Sequence, residues 1–340
     1  MTEPAAASRS RSVLLPVVVF AVVAVAGLAI AKWLPYGQRV VTLSGTRRWA
    51  GSSMLRTDGP AGLAAGWHFL VSYAGAIWLA LVAAVVLGAA TEALLPRQWL
   101  LAGLGRGPWA GALFALPTMM CTCCTAPVVS SLRRGGVRPA PAVAYWLGNP
   151  VLNPAVLVFL VLVGPWQWAA SRLLAGIALV LGAAFLAGRL RPAAGVTELE
   201  PPAAERAPAA RFLRALARFA LVLVPEYAVV VFAVGALGPW LFPPVVHAPA
   251  NVALAVVLAI GAGLLIVIPT GGEIPVLLGL AAAGASPVVL GVLLITLPAI
   301  SLPSMLMVGR ALSWRTTAAT AACVALAGLA GGLLLSLLGS

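Results

Sequence analysis

Three cysteines fall within four positions of this chain, Cys121, Cys123 and Cys124, inside the stretch Met119-Met120-Cys121-Thr122-Cys123-Cys124-Thr125. Thiolate sulfur is a soft donor that selects Cu(I) and trivalent arsenic or antimony species over hard cations. The run is C-x-C-C, in which Cys121 and Cys124 alone have C-x-x-C spacing, and no second C-x-x-C exists to complete a structural zinc site. Three readings of the cluster follow from residue type alone. It can bind a soft metal or metalloid, it can pack as small apolar side chains, or it can exchange electrons through its thiols. Cys323 stands alone in a later apolar run and reads as a packing residue.

Two other residue types carry chemistry here. Of the eight acidic residues, Glu226 and Glu273 sit within apolar runs, where ionisable groups are rare and usually functional. They are the candidates for proton uptake that would couple transport to a gradient. Asn149 and Asn153 are four residues apart and flanked by Pro150 and Pro154. That spacing predicts one shared helix face lining a cavity, with Thr296 and Ser301 in the comparable part of the second half. No G-x-x-x-x-G-K-[ST] loop is present, so neither ATP hydrolysis nor a bound cofactor is expected.

The elements that must hold these residues are membrane helices. Hydrophobic residues make up 62% of the chain and charged residues 9%, too little polar surface to cover a soluble globule of 340 residues. Apolar runs of about 20 residues recur, each long enough to cross a bilayer core of about 30 Å. The expected class is an all-α polytopic membrane protein with about 7 full spans and two broken, re-entrant segments. Spans are expected near Val13–Leu34, Trp67–Leu95, Pro139–Gly164, Trp166–Leu190, Phe219–Phe242, Pro287–Val308 and Thr316–Leu338. The broken segments lie near Pro108–Gly136 and Asn251–Gly284. Domain boundaries follow: residues 1–66 as an N-terminal anchor helix with an external loop, 67–190 as a first repeat, 191–211 as a Pro-rich cytoplasmic linker and 212–340 as a second repeat.

The repeats rest on a gapless match. Residues Cys121 to Pro150 lie over Pro269 to Pro298 at a constant offset of 148, with identities at Thr122/Thr270, Pro127/Pro275, Leu132/Leu280, Gly136/Gly284, Pro139/Pro287 and Pro150/Pro298. A helix interior avoids proline, so proline at the same places in two apolar halves predicts the same break twice. Pro127 suits the first turn of a new helix, and Thr122 and Thr125 suit the capping of freed N–H groups. Gly271 and Gly272 replace the cysteines in the second copy and permit close backbone approach. The candidate substrate site is thus Cys121, Cys123, Cys124, Thr125, Pro127, Asn149, Pro150, Asn153, Thr270, Gly271, Gly272 and Pro275. A weaker echo sets Ser72-Tyr73-Ala74 against Glu226-Tyr227-Ala228.

The net charge of +13 carries topology rather than nucleic-acid binding, because the arginines sit in short caps and linkers. If each broken segment re-enters and the N-terminus is cytoplasmic, the inner face holds 15 of the 21 basic residues: Arg9, Arg11, Arg97, Arg106, Arg133, Arg134, Arg138, Arg189, Arg191, Arg206, Arg211, Arg214, Arg218, Arg310 and Arg315. Lys32, Arg39, Arg47, Arg48, Arg56 and Arg172 then lie outside. If both segments cross fully, only 7 of the 21 lie inside. The positive-inside rule therefore favours inverted repeats.

The C-x-C element, the proline and apolar run after it, and Asn149-Pro150-x-x-Asn153-Pro154 resemble the predicted-permease family that includes the organoarsenical efflux permeases. The resemblance covers most of the chain beyond the first span. It implies a cytoplasmic-membrane permease whose cysteine element is associated, in the arsenical exporters, with thiol-seeking metalloids. Here Met119-Met120 stand where a proline and an aromatic commonly precede the first cysteine, and Cys124 stands where small residues are usual. Both changes keep the site soft. The implied partners are a small-molecule or metalloid substrate and the lipid bilayer, with no nucleic acid. A membrane thiol-disulfide oxidoreductase and a non-transporting scaffold or channel are the competing classes.

Overall fold

The computed structural model describes residues 4–50, 61–190, 207–241 and 251–339, and every element among them is helical. Six helices are long and apolar enough to cross a membrane, or seven when one bent pair counts as a single span. Their places agree with the seven runs picked out by hydropathy. The chain is therefore a polytopic α-helical membrane protein.

The first span departs from expectation. Helix α1 (Pro4–Leu28) passes through a π-turn at Ala29–Trp33 into α2 (Leu34–Thr46), so the helix continues through residues read as the start of an external loop. Pro35 suggested a stop, since proline removes an N–H and crowds the carbonyl four residues back. The π-turn relieves this by letting Leu34 N–H reach Ala29 O one residue further back. The same device recurs before Pro225, where the π-turn Phe219–Leu223 joins α10 (Pro208–Arg218) to α11 (Val224–Leu241). The expected linker over 191–211 falls mostly outside the described residues, and from Pro208 onward it is helix.

Each half then repeats one order of elements. In the first, α3 (Leu63–Leu94) and the short α4 (Arg97–Leu104) precede the broken pair α5 (Pro108–Ala115) and α6 (Thr122–Arg134). A second interrupted pair follows, α7 (Pro139–Val151) and α8 (Pro154–Val163), and then the straight α9 (Trp166–Arg189). In the second half α11 precedes the broken pair α12 (Val252–Leu265) and α13 (Glu273–Ala282), the bent pair α14 (Pro287–Ala299) and α15 (Leu302–Leu312), and the straight α16 (Trp314–Leu337). The α14–α15 bend is 51°. Pro150 and Pro298 lie near the ends of α7 and α14, each just before the interruption. What looked like plain spans in the sequence are thus interrupted as well.

Three of the other aligned pairs acquire structural reasons. Gly136 and Gly284 both have positive φ (89° and 81°), which favours glycine. Behind them, Val137 N–H bonds Leu132 O and Ala285 N–H bonds Leu280 O, the six-residue loop that closes a helix end. Pro139 and Pro287 then open α7 and α14 at the first helical position.

Two large buried apolar clusters make up most of the core. One gathers residues of α3, α6, α7 and α9 around the first break, and the other gathers α8, α12, α13 and α14 around the second, joined by Leu43 of α2. The halves interlock where α9 packs on α16 and α3 on α11. Small residues make the crossings close, as is general for membrane helices. A Cβ on Gly111 would stand 2.1 Å from Pro141 O, and one on Gly88 would stand 2.9 Å from the Pro127 ring.

Candidate functional site

The three sulfurs converge at the start of α6. Cys121 is the N-cap residue, and Cys123 and Cys124 occupy the second and third helical positions, all buried. Cys121 Sγ lies 2.8 Å from Cys124 Sγ and 3.0 Å from Cys123 Sγ, while Cys123 and Cys124 are 4.0 Å apart. Trigonal coordination at a metal–sulfur length of about 2.3 Å requires sulfurs about 4 Å apart. Cys123 and Cys124 already meet that spacing. Cys121, on extended backbone at the helix start, is the one that must swing outward by about 1 Å.

Helix α6 begins earlier than the sequence suggested. It starts at Thr122, which leaves Pro127 inside the helix rather than in its first turn. Thr125 Oγ1 donates to Thr122 O and caps nothing. The second copy starts its helix only at Glu273, the position that matches Thr125. The copies therefore differ by one helical turn, and in the first copy that added turn carries the sulfurs.

Asn149 holds the first break in place. Its Oδ1 accepts from Met120 N–H at 3.0 Å and from the Thr118 hydroxyl, and its Nδ2 donates to Tyr145 O at 2.9 Å. Backbone groups freed at membrane depth need such partners. Asn153 does different work, because α7 ends at Val151 and the two asparagines do not share a helix face. Asn153 caps α8, accepting from Ala155 and Val156 N–H at 3.1 and 3.3 Å. Asn149→Ala strands the buried Met120 N–H, and the expected cost is about 1–3 kcal/mol. Reversible unfolding in mixed micelles measures it, and a loss below about 0.5 kcal/mol would remove Asn149 from this role.

Tyrosines from the opening helix of each half close over the sulfurs. Tyr73 of α3 and Tyr227 of α11 lie with ring centroids 6.0 Å apart, and Tyr73 Oη is 3.8 Å from Cys123 Sγ. The Ser72-Tyr73-Ala74 and Glu226-Tyr227-Ala228 echo marked these residues, although not their place beside the cluster.

Both acids of interest are paired. Glu273 is buried at the first position of α13 and meets Arg172 Nη1 at 2.7 Å. The Arg172 guanidinium also donates to Pro150 O at 2.7 Å and Val151 O at 3.0 Å, the carbonyls freed at the α7–α8 interruption. Charge counting places Arg172 on the outer side, but it lies about two turns inside α9 and is fully buried. Lys32 and Arg39, also counted on the outer side, belong to the first long helix. An arginine within an apolar helix was the signal that charge counting overlooked. Glu226 pairs with Arg310 of α15 at 2.6 Å at a half-exposed position. Glu92, which had no role in the sequence reading, pairs with Arg218.

The second break faces a cavity of about 540 Å³ lined by Cys121, Lys32, Tyr36, Thr270, Gly272 and Pro275 among others. Gly271 has φ +82°, a left-handed conformation suited to glycine. The copies also differ in their cross-contacts. Thr122 and Ser301 hydroxyls lie 3.2 Å apart, and α6 packs along α15. Under the 148-residue offset the counterparts are Thr270 and Asn153. Thr270 Oγ1 and Asn153 Nδ2 are both buried without a partner, and α13 has no comparable seam with α8.

A polytopic helical fold built from two similarly ordered halves, with broken helices meeting at buried polar residues, defines a membrane permease. The chain belongs to the ArsP_1 family of predicted permeases, whose model matches residues 63–337. It is 40% identical over 329 residues to the UPF0718 protein YraQ of Escherichia coli (strain K12), covering 93% of this chain and 94% of that protein. No solved structure matches it significantly. A family of predicted permeases points to transport across a membrane.

Proposed function

We propose that this permease is a secondary transporter that exports a small thiol-reactive metalloid or metal-related solute by alternating access. The observation that carries the reading is the convergence of Cys121, Cys123 and Cys124 on the N-terminal turn of α6, buried at a helix break. Thr125, Pro127, Asn149 and Pro150 shape that break, and Asn153, Thr270, Gly271, Gly272 and Pro275 shape its counterparts. Alternating access draws support from the unequal contacts of the two copies. The Thr122–Ser301 contact is made while its counterpart Thr270–Asn153 is open. A reciprocal state would exchange them.

The reading includes inverted repeats over 67–190 and 212–340, a cytoplasmic linker over 191–211, a cytoplasmic N-terminus and residence in the cytoplasmic membrane. Glu226 and Glu273 are its proton-uptake candidates. Each is held by an arginine, so a proton reaching either carboxylate would release Arg310 or Arg172 to move. The short Cys121–Cys124 distance also suits a dithiol that cycles to a disulfide. That second reading lacks a relay, because Cys323 is the sole remaining cysteine.

Everted vesicles test the proposal. Wild-type protein accumulates trivalent arsenical or antimonite down an imposed proton gradient, and Cys121→Ser or Cys123→Ser abolishes the accumulation. Equal transport by the serine variants would exclude the sulfurs, and gradient-driven transport surviving both Glu273→Gln and Glu226→Gln would exclude coupling through those acids.

A further inference from the structure

The cavity at the second break carries charge that no carboxylate among the described residues balances. Lys32, Tyr36 and Arg39 follow one another at i, i+4 and i+7 along the first long helix, hence on one face, and all three line the cavity. Lys32 is only 5% exposed, and its Nζ reaches just the Tyr36 hydroxyl, at 3.2 Å. Arg39 Cζ lies over the Trp49 ring, 4.6 Å from its centroid, and Tyr36 and Trp49 both contact the Phe159 ring edge-on. Each carboxylate among the described residues is already taken elsewhere: Glu92 by Arg218, Glu226 by Arg310, Glu273 by Arg172. A buried cation without a counter-ion is costly, and within membrane segments such groups mark solute pathways.

Three further features join this charge to the sulfur cluster. Cys121 shares the cavity wall with Lys32. Trp33, next to Lys32 in the π-turn, donates from Nε1 to Pro117 O in the first break at 2.7 Å, so the helix is anchored to the backbone that carries the cysteines. The unpartnered Thr270 hydroxyl lines the same wall. π-turns of this kind recur at functional sites. The family match begins at residue 63, so these cations belong to a helix outside the matched region.

We propose that the cavity binds a small anion that carries a thiol-seeking atom. Lys32 and Arg39 hold its negatively charged oxygens, Tyr36 and Thr270 supply hydroxyl contacts, and Cys121 meets the soft atom. An ammonium and a guanidinium together suit a carboxylate or oxyanion head. The cavity volume of about 540 Å³ is ample for a small solute. The proposal rests on the reading of the cysteine cluster as a substrate site, and adds that the preferred solute is negatively charged.

Two probes separate these claims: phenylarsonous acid, which is uncharged, and its 4-carboxyphenyl analogue, which is an anion. Capture is the same for both. Two thiols lose their protons, two As–O bonds break, two As–S bonds form, two waters leave, and no electron is transferred. Equilibrium dialysis of the full chain in nanodiscs, with arsenic counted by mass spectrometry, measures each affinity. Wild-type protein should favour the carboxylate by about tenfold or more, since hydrogen bonds to charged groups are among the strong ones. Lys32→Gln and Arg39→Gln should each erase most of that preference while keeping phenylarsonous acid binding, which also reports an intact fold. Lys32→Arg should retain the preference. Equal binding of the two probes by wild type, or an unchanged preference in both glutamine variants, overturns the anion site and leaves the sulfur site standing. Failure of wild type to bind either probe overturns both.

Discussion

Arg172→Ala is expected to destabilise the protein by about 3–5 kcal/mol, the range for breaking a buried ion pair from one side. Glu273, 2% exposed, would be left as an uncompensated charge. The carbonyls of Pro150 and Val151 would lose their donors in the same step. The arginine therefore holds together the α7–α8 interruption and the first turn of α13, one from each half. Replacing both partners, as in Arg172→Met with Glu273→Met, removes the stranded charge and should recover most of the loss, since apolar replacements of buried pairs are often neutral. The two carbonyls keep the recovery incomplete, by about 1–3 kcal/mol. Reversible unfolding in mixed micelles gives the order: single variant least stable, double variant between it and wild type. A single variant as stable as wild type would remove this link between the halves.

Cys123→Ser is expected to lower affinity for a trivalent arsenical by about 100-fold or more, because outer-shell changes alone cost about 10–100-fold at metal sites and this change removes a ligand. Serine keeps the volume and the helix position while replacing a soft donor with a hard one. Cys123 is the informative choice, since it pairs with Cys124 at 4.0 Å, the spacing that trigonal coordination needs. Cys323→Ser should leave affinity unchanged, as that residue lies alone in α16. Dialysis against phenylarsonous acid measures both. Equal losses for Cys123 and Cys323 would point to general thiol capture rather than a site.

The similar order of the two halves was legible because most of the aligned residues answer a backbone demand. Gly136 and Gly284 supply a left-handed φ, Pro139 and Pro287 open helices, and Pro150 and Pro298 precede interruptions. Such demands leave the same residue at the same spacing in both copies. The polar contacts were not legible, because they join residues far apart in sequence. Arg172 meets Glu273 across 101 positions, and Thr122 meets Ser301 across 179. Lys32 and Arg172 could still have been noticed, since each is a lone charge among apolar neighbours. Counting them only as outer-side charges concealed that. The interruption at Leu152–Asn153 escaped for a different reason: a four-residue asparagine spacing implies one face only while the helix is continuous, and α7 stops at Val151.

Arsenic-edge X-ray absorption on the full-length protein loaded with phenylarsonous acid tests the central claim, that the sulfurs at the first break hold a soft solute. The account predicts an inner shell of sulfur beside the phenyl carbon, lost when Cys121, Cys123 and Cys124 are all serine and retained in Cys323→Ser. An oxygen shell in the wild-type protein, or a sulfur shell that survives the triple replacement, would contradict it.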